Sequence, residues 1–355
     1  MHAFRPVPWQ RLCAAVCSVL ALALAAGCGS SGSDSDPKTL VVATHDSWAM
    51  SKDVLADFEK ETGITVKAQP QGDAGQLTNK LVLTKDSPLA DGVYGIDNTF
   101  ASRAVDEGVL SSYSSAALPK SAEPFQLGDD AADKLTPVDY SDVCVNVDDA
   151  WFKAEKIPPP KTLEDLTEPA YKDLFVTPGA TTSSPGLAFL LATISAEGDG
   201  WQEYWKKLMA NGAKVTSGWT DAYEVDFTAG GGKGERPIVT SYSSSPPFTI
   251  AEGQTRPPTR ALLDTCFRQV EYAGVLKGSE NPKGMEKFID FMLERKFQSA
   301  IPDNMYVYPV DRSVPLPKTW EKYAPVAPDP LTVDPDEVSE NRAEWLREWR
   351  DITSQ

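Results

Sequence analysis

The sequence predicts an α/β protein of two lobes, each a mostly parallel sheet flanked by helices, with a ligand cleft between them. Three observations carry this. Strand and helix patterns alternate as βαβαβα from residue 39 to residue 108. A second alternation begins after the proline stretch "IPPPKTLEDL". Once residues 1–27 are set aside as a leader, 328 of the 355 residues remain, enough for two separate cores.

In the first lobe, "TLVVATH" (39–45), with its apolar centre "LVVA", predicts a buried strand. Residues 51–61 predict a helix with Val54, Leu55 and Phe58 on one side, closed by Gly63. "ITVKAQ" is a second strand, and 76–85 a second helix with Leu77 and Leu81 inward. "DGVYGID" (91–97) is a third strand, and "NTFASRAVDEG" a third helix ended by Gly108. Parallel strands with right-handed crossovers follow. Ligands of such sheets bind at the carboxyl ends of the strands. That rule sets His45, Asp46, Ser47 and Trp48, then Asp73, then Asp97 and Asn98, on one edge.

The second lobe repeats the pattern. "DLFVTPG" (173–179) is a strand and 186–196 a helix introduced by "TTSSPG". The amphipathic "GWQEYWKKLMANG" precedes the strand "AKVTS" and the loop "GWTDAY", and "RPIVTSY" (236–242) leads into the loop "SSSPP". The loops after these strands face the rim of the first lobe. Two further extended stretches, "VDYSDVCVNVDD" (138–149) and "DTCFRQVEYAGVL" (264–276), lie at the joins. The expected organisation is 39–140 and 267–355 in lobe 1 and 141–266 in lobe 2.

Residues 1–27 read as an export signal: Arg5 and Arg11, then an apolar run from Leu12 to Ala26 too short for a membrane span. "LAAGC" resembles a lipobox, with Cys28 taking diacylglycerol; an ordinary cleaved secretory peptide is the alternative. Residues 28–38 are a polar tether. The expected location is the outer face of the cytoplasmic membrane, held there by lipid alone. Of the five cysteines, Cys13 and Cys17 leave with the signal, so Cys144 and Cys266 remain for the folded part. Two separate buried thiols are one reading. If the two extended joins run side by side as hinge strands, the cysteines face each other and form a disulfide.

Without its leader the chain carries 32 Lys and Arg against 51 Asp and Glu, a balance of −19. Such a surface suits neither nucleic acid nor an anionic membrane, which both need basic patches. An enzyme is not expected. His45 is the one histidine after the leader, no "GxSxG" elbow occurs, and the cysteines lack partners at zinc spacing. "GGGKGE" lacks the spacing of a phosphate loop and reads as a surface turn.

Among the aromatics, Trp201, Tyr204 and Trp205 and the pair Trp345 and Trp349 sit at helical spacing and read as packing. Trp219 follows Gly218 in a loop and reads as ligand-facing. Tyr223, four places on, is either a contact or its brace. Ser183 and Ser184 before Pro185 read either as a helix cap or as an anion site. His45 is a ligand contact or a polar strand end.

The chain resembles the thiamine-binding lipoproteins or periplasmic proteins of ABC importers. The resemblance runs from about residue 39 to "AEWLREW" and is carried by "DSW", "GIDN", "SSPGL", "SGWTDAY", "SYSSSP" and "AIPDNMYVYPV". It implies a two-lobed, type II periplasmic-binding-protein fold, acting as a monomer, that closes on thiamine, thiamine monophosphate or thiamine diphosphate and passes it to permease and ATPase subunits. No cofactor is implied. The resemblance places Trp219, Tyr242 and Tyr306 around the ligand rings, Asp73, Asp97 and Asn98 near the cleft, and Ser183 and Ser184 beside the hydroxyethyl or phosphate end. His45, Tyr306 and Phe248 stand where the family often has tyrosine, tryptophan and tyrosine respectively. A flat aminopyrimidine joined to a cationic thiazolium calls for aromatic faces and carboxylates, which Trp219, Tyr223, Asp221, Asp97 and Trp48 can supply. Receptors for polyamines or ferric ion are the rival readings within the fold, and a surface adhesion module is a rival outside it.

Overall fold

The structure, a computed structural model, describes residues 38–128 and 131–354, the side chains of residues 335 and 336 aside. The leader, Cys28 and nearly all of the tether lie outside the described residues.

The alternation read from the first lobe is present: β1 (Thr39–Thr44), α1 (Lys52–Thr62), β2 (Thr65–Pro70), α2 (Ala74–Leu83), β3 (Gly92–Asp97) and α3 (Ala101–Asp106). Each boundary has a local cause. Ser51 accepts the Val54 N–H at the start of α1, and Gly63 ends it with φ 74°. Asp73 caps α2 from Ala74, two residues earlier than the apolar pattern suggested, because the cap rather than the first inward leucine sets the start.

The short β4 (Leu110–Ser111) leads to the long β5 (Thr136–Asp148), buried at every position, and then to α4 (Asp149–Glu155). The second lobe follows as β6 (Phe175–Pro178), α5 (Ser184–Glu197), α6 (Trp201–Ala210), β7 (Lys214–Thr216), a π-helical turn over Asp221–Asp226 and β8 (Ile238–Tyr242). The chain returns through β9 (Thr259–Leu276), α7 (Pro282–Leu293), α8 (Arg295–Met305), β10 (Tyr308–Pro309), α9 (Lys318–Tyr323) and α10 (Pro335–Thr353).

The sheet order is β2-β1-β3-β9-β5-β8-β6-β7, with β4 on β9 and β10 on β5. Each half is therefore the same motif: three parallel strands ordered 2-1-3 with one antiparallel strand beside the third. The expectation of mostly parallel lobes holds. The lobes are not separate sheets, however, because β5 and β9 pair antiparallel along most of their length and join them. These two strands are the extended joins of the sequence.

Cys144 and Cys266 lie on this pair, where the register slips between Val143 and Val145. Their sulfurs are bonded, with Cα atoms 4.1 Å apart. Both side chains are buried.

The first lobe packs Phe58, Phe288, Phe291 and Phe297 into an aromatic cluster with centroids 5.1–6.3 Å apart. Each such ring contributes roughly 1.5–3 kcal/mol by burial. The second lobe packs Phe175, Phe189 and Trp205, and Trp349 of α10 stands edge-on against Trp205 at 5.5 Å. The terminal helix thus covers α6, although the sequence placed residues 267–355 with the first lobe. The five aromatics assigned to packing are all buried or packed against the main core.

Candidate functional site

The carboxyl ends of β1 and β2 and of β7 and β8 open onto one cavity of about 270 Å³, slightly under the roughly 300–1,000 Å³ usual for small-molecule sites. The first lobe contributes His45, Asp46, Ser47, Trp48, Asp73 and Glu271, and α8 with its exit contributes Asn304, Met305 and Tyr306. The second lobe contributes Ser184, Trp219, Thr220, Glu224 and Tyr242. A second space of about 250 Å³ lies against it, sharing Asp46, Asp73, Trp219 and Thr220 and adding Gln76, Ser217 and Asp221.

The aromatic wall is built in layers. Trp219 stacks on Tyr223 with centroids 5.0 Å apart and planes 12° from parallel, and Tyr223 rests on Phe227. The indole N–H donates to the Ser241 hydroxyl at 2.9 Å, so the ring is fixed at both its face and its edge. Trp219 is only 8% exposed. Its loop position does not leave it solvated; one face is buried and the other lines the cavity. Tyr223 is the brace beneath it and does not line the space. Tyr242 stands 6.1 Å from Trp219 at 46°.

Across the cavity Trp48 meets Tyr94 edge-on at 4.7 Å. Tyr306 is held out by a left-handed backbone with φ 62°, and its ring stacks on Phe248. That conformation costs a non-glycine residue roughly 1–2 kcal/mol, and Ser244, whose hydroxyl donates to the Tyr306 carbonyl at 2.5 Å, helps to hold it.

The floor is a buried charge relay. His45 sits 3.3 Å from Glu271. The Tyr94 hydroxyl donates to Asp139 and lies 3.3 Å from the other Glu271 oxygen. Gly95 makes room for this arrangement: φ is 95° at a bulge in β3, and a Cβ there would overlap the His45 ring. Burial pulls His45 toward its neutral form, but the charge of Glu271, with Asp73 and Asp46, reverses that and raises its pKa. Burial pushes Glu271 up, yet His45 and the hydrogen bonds from Asp139 and Tyr94 leave it below its ordinary value. Asp139 is raised well above the carboxylate range by burial and by the Glu271 charge. The relay therefore holds Glu271 toward its ionised form at the cavity and Asp139 toward its protonated form.

Asp73 joins the two sides. Its carboxylate accepts from Ala74 N at 2.7 Å, Ser184 N at 3.3 Å and Trp219 N at 3.0 Å. Burial raises its pKa and these hydrogen bonds oppose the rise.

The structure thus brings His45, Asp46, Trp48, Asp73, Ser184, Trp219, Tyr242 and Tyr306 to the cavity and places Asp221 at its outer mouth, where it accepts from Ser217. Others are corrected. Asp97 does not face the cleft: it is fully buried and accepts from Thr99 N, Thr99 Oγ1 and Phe100 N at the start of α3. Asn98 bridges backbone on β9, donating to Arg268 O and accepting from Val270 N. Ser183 is fully buried before α5 and does not line the cavity. Two carboxylates were missed. Glu271 was signalled only as an acid just before the apolar end "YAGVL" of β9, where a buried charge must find a partner. Glu224 lies one turn beyond Thr220 in the π-helical segment.

Residues 87–329 match the family described as bacterial extracellular solute-binding proteins. The thiamine-binding periplasmic protein of Brucella suis is 33% identical over 350 residues, covering 95% of this chain and 98% of that one. Its Escherichia coli counterpart by name is 31% identical over 89% of this chain and 93% of its own. A solved periplasmic thiamin binding protein superposes with a TM-score of 0.78 at 31% identity, over 91% of this chain and 98% of that one. A cavity between two sheet halves, walled by aromatics and carboxylates, is what a captured solute needs, and the chain belongs to the bacterial extracellular solute-binding proteins.

Proposed function

We propose that this protein is the extracytoplasmic receptor of an ABC importer, a monomer anchored by lipid at Cys28, which captures thiamine or a thiamine phosphate and delivers it to permease and ATPase subunits. One observation carries the ligand: the braced face of Trp219 looks onto a cavity whose charged lining, among the described residues, is Asp46, Asp73, Glu224 and Glu271, offset by His45. A thiazolium cation gains from an aromatic face, by about 2 kcal/mol when desolvated, and from carboxylates that need not be neutralised elsewhere. The printed names of the relatives point the same way. The lobes, 39–140 with 267–355 against 141–266, would close about the β5–β9 pair, and the closed form would dock on the permease.

Carboxylates with aromatics also suit a polyamine, so spermidine belongs in the same test. Tryptophan fluorescence of refolded, ligand-free protein is titrated with thiamine and with spermidine. Saturable quenching by submicromolar thiamine, with spermidine silent, is expected. The reverse order would transfer the site to polyamines.

A further inference from the structure

We propose that Arg103 and Arg342 form a second binding site, for a small oxyanion such as phosphate or sulfate, between α3 and α10 and outside the solute cleft.

The site is organised by Phe100. This buried ring sits at the seam between the lobes, against Gly75 and close to Thr182. Arg103 follows it by three residues in the first turn of α3, so the two side chains leave the helix on the same side. The Arg342 guanidinium of α10 lies over the Phe100 ring, with Cζ 4.5 Å from the centroid. The two cations therefore meet at one ring from different halves of the molecule. Helix α3 belongs to the first lobe, whereas α10 rests on α6 of the second through Trp349 against Trp205 and through Gln202, which donates to Glu348. Neither arginine lines the solute cavity or the space beside it.

Both guanidinium groups lack an acceptor. The Nε atoms of Arg103 and Arg342 are buried, and among the described residues nothing accepts from them. A buried donor left unmade is costly, and two like charges set together add repulsion to that cost. Burial and then the Arg103 charge draw the Arg342 pKa down to about 10, so it remains a cation at neutral pH. The charge of Asp97 opposes the fall, but its carboxylate is turned to Thr99 and Phe100 N at the start of α3 and accepts from neither arginine. A shortage of acids is not the reason, because the chain carries 51 Asp and Glu against 34 Lys and Arg. What the pair lacks is an acceptor with several oxygens and negative charge. An oxyanion is that group: the planar guanidinium fork matches it with parallel N–H donors, and one anion between two forks turns their repulsion into attraction. Held by both, it would also fasten α10 to the first lobe.

The test is equilibrium dialysis against labelled inorganic phosphate at constant ionic strength, with thiamine absent or in excess, for wild type, Arg103→Gln and Arg342→Gln. Glutamine keeps a stem and an amide donor without the charge, and the second variant serves should the first fail to fold. Wild type is expected to hold one phosphate per chain, equally well in excess thiamine, with sulfate competing and chloride not. Each variant is expected to bind it at least about tenfold more weakly. Phosphate that both folded variants hold as tightly as wild type overturns the site. So does phosphate that thiamine displaces, or the absence of saturable uptake at millimolar phosphate.

Discussion

The Asp73 carboxylate accepts the Trp219 backbone N–H at 3.0 Å, so the residue that follows β2 in the first lobe grips the residue that starts the aromatic wall of the second. Gly75 allows the neighbouring backbones to meet, since a Cβ there would lie 2.8 Å from the Thr182 carbonyl carbon. Gln76 N donates to Thr182 O across the same seam at 3.3 Å. These contacts describe lobes drawn together, with the ligand space enclosed between them.

Gly218→Val should loosen that grip. The new side chain presses on Asp73 Oδ2 and pushes the carboxylate off Trp219, with little buried apolar area lost. Thiamine affinity is expected to fall about tenfold, or ~1.4 kcal/mol, with the thermal midpoint nearly unmoved. Unchanged affinity would show that the Asp73 contact does not hold the bound form.

Trp219→Ala removes the aromatic face on which we propose the ligand rings stack. Affinity is expected to fall more than tenfold while the protein stays folded, its circular dichroism spectrum retained. The loss of a largely buried indole also costs roughly 3–5 kcal/mol of stability, so binding is read well below the new midpoint.

Much of this was legible before any coordinates. The two alternations gave the strands in order, because fully buried parallel strands write themselves as apolar runs such as "LVVA". The rule about carboxyl ends then found His45, Trp48, Asp73 and Trp219. It failed at Asp97 for a specific reason: the last residue of a strand can turn back to cap the next helix instead of facing the cleft, and "DNTF" supplies N–H donors at Thr99 and Phe100 for that purpose. Glu271 escaped notice because it comes from β9, which runs antiparallel to β3, so its position reflects register rather than a loop. Helical spacing alone makes Tyr223 either contact or brace, and the 12° stacking angle decides it.

Cys144 and Cys266 are separated by 122 positions in sequence. Joining them restricts the unfolded chain, and loss of such a link costs about 2–5 kcal/mol. Reductant, or Cys144→Ser with Cys266→Ser, is expected to lower the denaturant midpoint accordingly. Two reactive thiols in the unfolded, unreduced protein would contradict the bond.

Asp97 predicts a pH effect. Burial pushes its carboxyl up to about 6, with the Ser184 and Thr99 hydroxyls opposing. Between pH 4 and 6 the unfolded side chain is ionised while the native one still holds its proton. The native state binds more protons, so this group's contribution to stability falls as pH rises, by about 3 kcal/mol in all. Asp97→Asn abolishes that dependence. Relative to the variant, wild type should gain about 2.4 kcal/mol on going from pH 7 to pH 4 in urea unfolding. Parallel pH profiles would show that Asp97 ionises normally.

The most direct test of the receptor itself is calorimetric titration of the mature chain, freed of its tether and refolded from denaturant to strip carried-over ligand, with thiamine. One site per chain with submicromolar affinity is the expected result. No heat and no competition at millimolar thiamine would contradict the account and return the cleft to the wider solute-binding family.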